Sequence, residues 1–124
     1  MNSIIIFTDG ASRGNPGPGG WAAVIVDREE VTELGGAERE TTNNRMELTA
    51  VIEALAFVEI ETSDVDSIPQ PINIYTDSSY VLKGAQSWLK GWLKNDWKTK
   101  TKDDVLNKDL WQRLATVMEG KEIT

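Results

Sequence analysis

The alternation of apolar and polar residues predicts three strands in the first third of the chain. Apolar and β-branched residues predict strands over residues 3–8, over residues 21–26 and around residues 31–34. The Gly- and Pro-rich residues 10–20 are the expected loop between the first two strands, and the acidic residues 27–30 are the expected turn between the next two. This pattern is typical of an antiparallel meander.

A helix and a parallel strand are predicted next. Over residues 44–60 the apolar positions are spaced as on one helical face, at Leu48, Val51, Ile52, Leu55 and Val58. A polar linker over residues 61–71 leads to a short apolar strand over residues 72–76. Because the helix connects two strands, the three elements predict a βαβ unit with the strand parallel to the first.

The last third of the chain predicts more helix. Residues 78–92 indicate one or two short helices, and residues 94–102 a basic loop. A final helix capped near residues 101–104 is expected from the spacing of Leu106, Leu110, Trp111, Leu114, Val117 and Met118. The fold class is therefore α/β.

Length and composition narrow the class of protein. The 124 residues, 40% of them apolar, predict a single domain over residues 1–124 with an ordinary core. The apolar run over residues 4–7 is too short for a membrane span or a signal peptide, so we expect a soluble protein. The lack of cysteine fits a reducing cytoplasm, and we expect a monomer with no obligate protein partner. The chain has no cysteine and no histidine. This excludes disulfides, thiolate or imidazole zinc sites and histidine-activated nucleophiles.

The charge of the chain is unevenly distributed. The net charge of −7 argues against a polyanionic partner. Residues 1–77, however, carry 4 basic and 14 acidic side chains, whereas residues 78–102 carry 6 and 1. A local basic segment on an acidic body is typical of a nucleic-acid contact.

Three carboxylates are the candidate metal ligands. Asp9 and Asp77 follow apolar strands, and Glu47 lies in the opening turn of the predicted helix. Each has another interpretation: Asp9 as part of an Asp-Gly turn, Glu47 as the partner of Asn44 in a capping box, and Asp77 as a helix N-cap. If strand ends and helix bring them together, they form an oxygen-ligand site for Mg²⁺ or Mn²⁺. Two such ions about 4 Å apart can activate water and stabilise a leaving oxygen at a phosphodiester.

Tryptophans and lysines alternate in the basic segment. Trp88, Trp92 and Trp97 are interleaved with lysines at positions 90, 94, 98, 100 and 102. Core packing explains at least one of the tryptophans. The lysines cannot be buried with them, so the segment also predicts a surface for a sugar-phosphate backbone.

Six motifs in this order resemble ribonuclease H of type 1. They are Thr8-Asp9-Gly10, residues 14–20, residues 41–48, Thr76-Asp77-Ser78, the Trp88/Trp92/Trp97 segment and residues 109–114. The resemblance implies a five-stranded mixed sheet with helices on both faces, its last strand partial and its closing helix absent. It also implies an endonuclease that cuts the RNA strand of RNA/DNA hybrids with two Mg²⁺ ions, or Mn²⁺.

The resemblance assigns roles to individual residues. Asp9 would bridge the metals, with Glu47, Asp77 and Gly10 completing the metal site. Contacts to the hybrid are implied for Ser12, Asn15, Thr42, Asn43, Asn44, Ser79, Trp88, Trp92, Lys94, Trp97, Lys98, Thr99 and Lys100. Glu47 would also lie near the ribose 2′-OH, which distinguishes RNA from DNA.

The family's sequence continues beyond Thr124 with the rest of a fifth strand, a histidine loop, a fourth aspartate and a closing helix. We therefore keep a second interpretation, a hybrid-binding module that does not cut. A third, the core of a related transposase or integrase, is disfavoured by the Asn43-Asn44 pair beside Glu47.

Overall fold

A computed structural model describes residues 3–62, 70–99, 103 and 105–124 of the chain. The strands are β1 (Ile4–Ser12), β2 (Gly17–Asp27), β3 (Glu30–Thr41) and β4 (Ile72–Tyr75), and the helices are α1 (Asn43–Thr62), α2 (Ser79–Lys83), α3 (Leu89–Lys94) and α4 (Lys108–Met118). A π-helical turn, Gly84–Trp88, joins α2 to α3. In the part of the chain that is described, no helix has the length and apolar character needed to cross a membrane.

The four strands form one mixed sheet in the order β3-β2-β1-β4. β1 and β2 pair antiparallel from Ile4–Asp27 to Ser12–Gly19, and β4 pairs parallel with β1 from Ile4–Ile72 to Phe7–Tyr75. The predicted meander and βαβ unit are confirmed. The predicted loop over residues 10–20 is wrong in extent, because both strands continue into it. Asp9 therefore lies within β1 rather than at its end.

The expected fifth strand is present only as a short contact along β4. Ile123 forms a parallel bridge with Ile72, and the Ile72 and Ile74 amides donate to the carbonyls of Glu122 and Thr124 at 2.8 and 3.0 Å. The described sheet thus has four strands, not five. The final residues continue it by one bridge.

The core lies between the sheet and α1. All five residues of the predicted apolar face of α1 are buried, with exposed fractions of 5% or less. They pack with Ile4 and Ile6 of β1 and with Ile25 of β2. α4 adds Leu110, Trp111 and Leu114 to the same core, so the helical layer on this face of the sheet is built from both helices.

The opposite face of the sheet is open at its centre. Phe7 and Tyr75 stack there with ring centroids 5.3 Å apart and remain 48% and 56% exposed. Val31 on β3 is also exposed. This exposure leaves the centre of the face open in the part of the chain that the structure describes.

The helical segment after β4 is continuous from Ser79 to Lys94, as predicted for residues 78–92, with its middle turn π-helical. The last helix begins later than expected. α4 starts at Lys108 after Asn107, whose backbone is left-handed at φ 59°. A cap at Asp103 is therefore wrong, and residues 101, 102 and 104 lie outside the described residues.

Candidate metal centre and nucleic-acid interface

The fold brings three acidic side chains to one place. Asp9 of β1, Glu47 of α1 and Asp77 after β4 each offer a carboxylate oxygen, and these oxygens all lie within 4.8 Å of one another. Asp9 and Asp77 are exposed, whereas Glu47 is only 7% exposed. The site thus combines one buried carboxylate, that of Glu47, with two solvent-exposed carboxylates, those of Asp9 and Asp77.

Glu47 is held by the sheet rather than by its own helix. Its Oε1 accepts the Gly10 amide at 3.2 Å, and its Oε2 accepts the Thr76 hydroxyl at 3.4 Å. The start of α1 is instead capped by Thr42, whose hydroxyl accepts the Arg45 amide at 3.2 Å. The capping-box interpretation of Asn44 and Glu47 is therefore wrong, and the carboxylate faces the site.

Asp77 is likewise not used as a cap. Ser78 is the N-cap of α2, and its hydroxyl accepts the Val81 amide at 3.2 Å. The Thr76 hydroxyl accepts the Ser78 amide at 3.1 Å while donating to Glu47. These bonds fix the chain on both sides of Asp77 and leave its carboxylate exposed.

Glycine at position 10 permits the close approach of β1 to α1. A Cβ on Gly10 would lie 2.5 Å from the Met46 carbonyl carbon and 2.6 Å from the Glu47 amide nitrogen. Both are backbone atoms that cannot rotate away, so any side chain here would separate the strand from the helix. Asp9 and Glu47 are neighbours because residue 10 has no side chain.

The electrostatics of the site fit a divalent cation. Burial raises the pKa of the Glu47 carboxyl, and the negative charges of Asp77 and Asp9 raise it further, against the lowering effect of the Gly10 bond. Among the described residues, no lysine or arginine forms an ion pair with these three carboxylates. Clustered oxygen ligands without a basic partner match the preference of Mg²⁺ and Mn²⁺.

We expect Glu47→Gln to stabilise the metal-free protein at neutral pH. Because the folded state raises the pKa of Glu47, its contribution to stability is fully present below the unfolded pKa and is lost as pH rises through the folded pKa. Glutamine removes this loss. Thermal melts in EDTA between pH 4 and pH 8 should show a flatter pH dependence for the variant. An identical pH dependence would contradict the assigned repulsion.

The residues expected at a hybrid surface fall into two groups. The first group lies in the β1–β2 connection and near the starts of α1 and α2, where Asn15, Asn43 and Ser79 are exposed and Thr42 and Asn44 are half-buried. Of these, Asn43 is tied to β1 by two hydrogen bonds from Ser12. The structure gives no contact that assigns a ligand role to Asn15, Asn44 or Ser79.

The second group lines an open groove of about 510 Å³ on the helical segment. Trp88, Trp92, Lys98 and Thr99 contribute to it as predicted, and the sequence interpretation missed Ser87, Gly91 and Asn95. Trp88 is 38% exposed, whereas Trp92 and Trp97 pack partly against the core. Lys94 is exposed at the end of α3, and Lys100 lies outside the described residues.

A polar network next to the site was also missed. The two terminal nitrogens of the Arg45 guanidinium donate to the Asp109 carboxylate, at 3.0 and 2.7 Å, and one of them also donates to Asn107 Oδ1 at 3.2 Å. The Asn107 amide in turn donates to the Tyr80 hydroxyl at 3.1 Å. The bond with Asp109 raises the pKa of Arg45 and lowers that of Asp109. A signal existed: arginine in a first helical turn is unfavourable near the positive helix end and favours an acidic partner.

Comparisons with known proteins agree on one family. The family model for RNase H matches residues 1–124. A protein named Ribonuclease H from Cupriavidus pinatubonensis is 49% identical over 124 residues, covering all of this chain and 80% of that protein. The crystal structure of LC9-RNase H1, a type 1 RNase H, matches with TM-score 0.78 and 25% identity over the whole chain and 61% of its own length. LC11-RNase H1 in complex with an RNA/DNA hybrid matches with TM-score 0.68 and 25% identity, covering 98% of this chain and 82% of that one.

Proposed function

The chain belongs to the ribonuclease H family, and from this membership and its carboxylate cluster we propose that it hydrolyses the RNA strand of RNA/DNA hybrids. The cut would be endonucleolytic and would depend on two divalent cations, Mg²⁺ or Mn²⁺. The observation that carries the proposal is the convergence of oxygens from Asp9, Glu47 and Asp77 within 4.8 Å.

The chemistry divides between the ions and the chain. When bound, two divalent ions supply a nucleophilic water and stabilise the leaving oxygen of the phosphodiester. Asp9, on the central strand β1, would serve both ions. Glu47 and Asp77 would each serve one. Gly10 and Thr76 hold the Glu47 carboxylate in place through the bonds at 3.2 and 3.4 Å, so this ligand is oriented before any ion binds.

Two features favour a hybrid over other substrates. LC11-RNase H1, a structural neighbour, has been solved with an RNA/DNA hybrid. In this chain, the basic segment of residues 78–102 directly follows Asp77, the last carboxylate of the metal centre in sequence. This segment contains Trp88 and Trp92, which line the open groove. Aromatic side chains with lysines suit a nucleic-acid strand, and base stacking requires no particular sequence.

Cleavage assays on four matched substrates test the proposal. The RNA/DNA hybrid, double-stranded RNA, double-stranded DNA and single-stranded RNA should share one sequence and carry a label on each strand. We expect RNA-strand products from the hybrid alone, and only with Mg²⁺ or Mn²⁺ present. Cutting of DNA, or cutting in EDTA, would refute the assignment. Retention of the hybrid in a gel without cutting would support a binding module.

Removing lysines should weaken the salt dependence of hybrid binding. For each lysine that no longer neutralises a phosphate, the slope of log K against log salt concentration should fall by about one unit. We expect a shallower slope for Lys94→Ala, Lys98→Ala and Lys100→Ala combined, measured by fluorescence anisotropy. Arg28→Asn is a control for the loss of positive charge, because Arg28 is remote from the metal centre. It lies in the β2–β3 turn next to Asp27, and Asp27 pairs with Ile4 at the end of β1 that is far from Asp9. Equal slopes for wild type and triple variant would contradict the basic surface.

A further inference from the structure

One hydroxyl group connects two of the three acidic residues of the metal centre. Thr76 directly follows β4, directly precedes Asp77 and is half-buried. Its hydroxyl oxygen lies 3.4 Å from Glu47 Oε2 and 3.1 Å from the Ser78 amide nitrogen. Through these two bonds, one side chain contacts both the backbone around Asp77 and the carboxylate of Glu47 on α1.

The direction of each bond follows from the groups involved. A backbone N–H can only donate, so the Thr76 oxygen accepts from Ser78, and its single proton remains for Glu47 Oε2. A bond from the hydroxyl of one residue to the amide two residues later is an ST turn, and here Asp77 is the residue inside it. The same hydroxyl therefore restrains the backbone of one acid and the side chain of another.

Thr76 is also the side chain on which the orientation of Glu47 depends. Among the described residues, the Glu47 carboxylate accepts two hydrogen bonds, one at each oxygen. The bond to Oε1 comes from the backbone amide of Gly10, and the bond to Oε2 comes from the Thr76 hydroxyl. A substitution at position 76 can thus remove one of the two bonds without changing either metal ligand.

The bond to Glu47 is too long to contribute much to the stability of the fold. Hydroxyl donors usually lie about 2.5–3.0 Å from an oxygen acceptor, whereas this distance is 3.4 Å. The Thr76 side chain also lines an apolar cavity of about 370 Å³, together with Ile74 and Val81. Valine has nearly the same shape and keeps this packing, whereas serine keeps the hydroxyl. Packing and orientation can therefore be separated by experiment.

We propose that Thr76 is a positioning residue whose hydroxyl group holds Glu47 and Asp77 in place for a divalent cation. The inference rests on the proposed function. Thr76 acts through the two carboxylates and is not itself a metal ligand. Ligands that are held in place before the ion arrives bind it more tightly, and losing such a supporting group typically costs about 10- to 100-fold in metal affinity.

Thr76→Val removes the hydroxyl and tests this role. We expect the Kd for Mn²⁺ to rise about tenfold, measured without substrate from the electron paramagnetic resonance signal of the free ion. Cleavage of the hybrid should need more Mg²⁺ for half of its maximal rate and should approach the wild-type rate when Mg²⁺ is saturating. A melt in EDTA measures any cost to the fold separately from the effect on the ion.

Thr76→Ser supplies the complementary variant. It should bind Mn²⁺ with nearly the wild-type Kd, although its melting temperature should fall because a methyl group is lost. Thr116→Val makes the same change as Thr76→Val on the exposed side of α4, where the hydroxyl donates to the Gln112 carbonyl at 3.1 Å. This control should keep the wild-type Kd.

Two results would overturn the proposal. One is a wild-type Kd for Thr76→Val, and the other is an equal rise in Kd for Thr76→Val and Thr76→Ser. Because Mn²⁺ binding is measured without hybrid, a wild type that binds the ion but does not cut refutes the nuclease function and leaves this result readable. A wild type that binds no Mn²⁺ overturns both.

Discussion

Asp9→Asn and Asp77→Asn are each expected to lower hybrid cleavage by about three orders of magnitude, equivalent to ~4 kcal/mol of transition-state stabilisation. Asparagine has nearly the shape of aspartate but lacks the charge that holds a divalent ion. With oxygens of three acids within 4.8 Å, each carboxylate is a substantial part of the ligand set. Single-turnover cleavage with Mg²⁺ in excess measures the effect on the chemical step.

Stability measurements separate this effect from damage to the fold. Removing one of three clustered negative charges relieves repulsion, so the metal-free melting temperature should stay equal or rise. The increase in melting temperature on adding Mg²⁺ should be smaller than in the wild type, since a ligand stabilises only the state that binds it. Glu33→Gln, exposed on β3, is the control and should keep wild-type values. Asn variants that retain a tenth or more of the activity would end the metal-site assignment.

Gly84→Ala is expected to destabilise the protein by about 3 kcal/mol, the upper part of the usual range for overpacking a core. A Cβ on Gly84 would overlap the six-membered ring of Trp111, which is fully buried. The ring cannot move aside, because its Nε1 donates to the Tyr80 hydroxyl at 3.0 Å and Trp92 packs against it edge-on at 5.3 Å. Urea denaturation of both proteins gives the difference in unfolding free energy.

Gly91→Ala supplies the matched control from the same helical segment. Among the described residues, and apart from its chain neighbours and the backbone of its own helix, nothing lies within 4 Å of a Cβ built on Gly91. Alanine also favours a helix over glycine by about 1 kcal/mol, so this variant should be as stable as the wild type or more so. Replacing glycine with alanine should thus lower the free energy of unfolding at position 84 and leave it unchanged or raise it at position 91. Equal effects at the two positions would show that Trp111 does not pack as described.

The Gly84 contact also links the core to the open groove lined by Trp88 and Trp92, where we propose that the nucleic acid binds. Gly84 begins the π-helical turn that ends at Trp88, and Trp88 lines the groove. Shifting this turn away from Trp111 would move Trp88 and weaken hybrid binding even where the protein remains folded. Hydrophobic periodicity could not predict this, because a glycine carries no apolar signal and its partner Trp111 lies on a different helix, far along the chain.

Sequence patterns predicted the elements well where burial alone decides them. All five positions predicted for the inner face of α1 are buried, since helical spacing and burial impose the same pattern on the sequence. The smaller Ala50 and Ala54, which are also buried, were not predicted. The boundaries near the site were less well predicted. β1 and β2 extend into the glycine-rich segment, because glycine's lack of a side chain allows close pairing with neighbouring backbone as readily as it allows a loop.

The chain by itself determined the chemistry available to this protein: oxygen ligands without cysteine or histidine, three acids in suitable settings, and a basic aromatic segment. Only the tertiary structure decided how these groups are used. The local sequence offered each of two acids a role at the start of a helix, Glu47 in a capping box with Asn44 and Asp77 as an N-cap. In the structure, Thr42 and Ser78 cap the two helices instead, and the Glu47 carboxylate accepts a hydrogen bond from the Gly10 amide on β1. A polar side chain forms hydrogen bonds with the groups that tertiary packing places beside it, and these groups can be distant in sequence. Local sequence patterns therefore do not predict which bonds form.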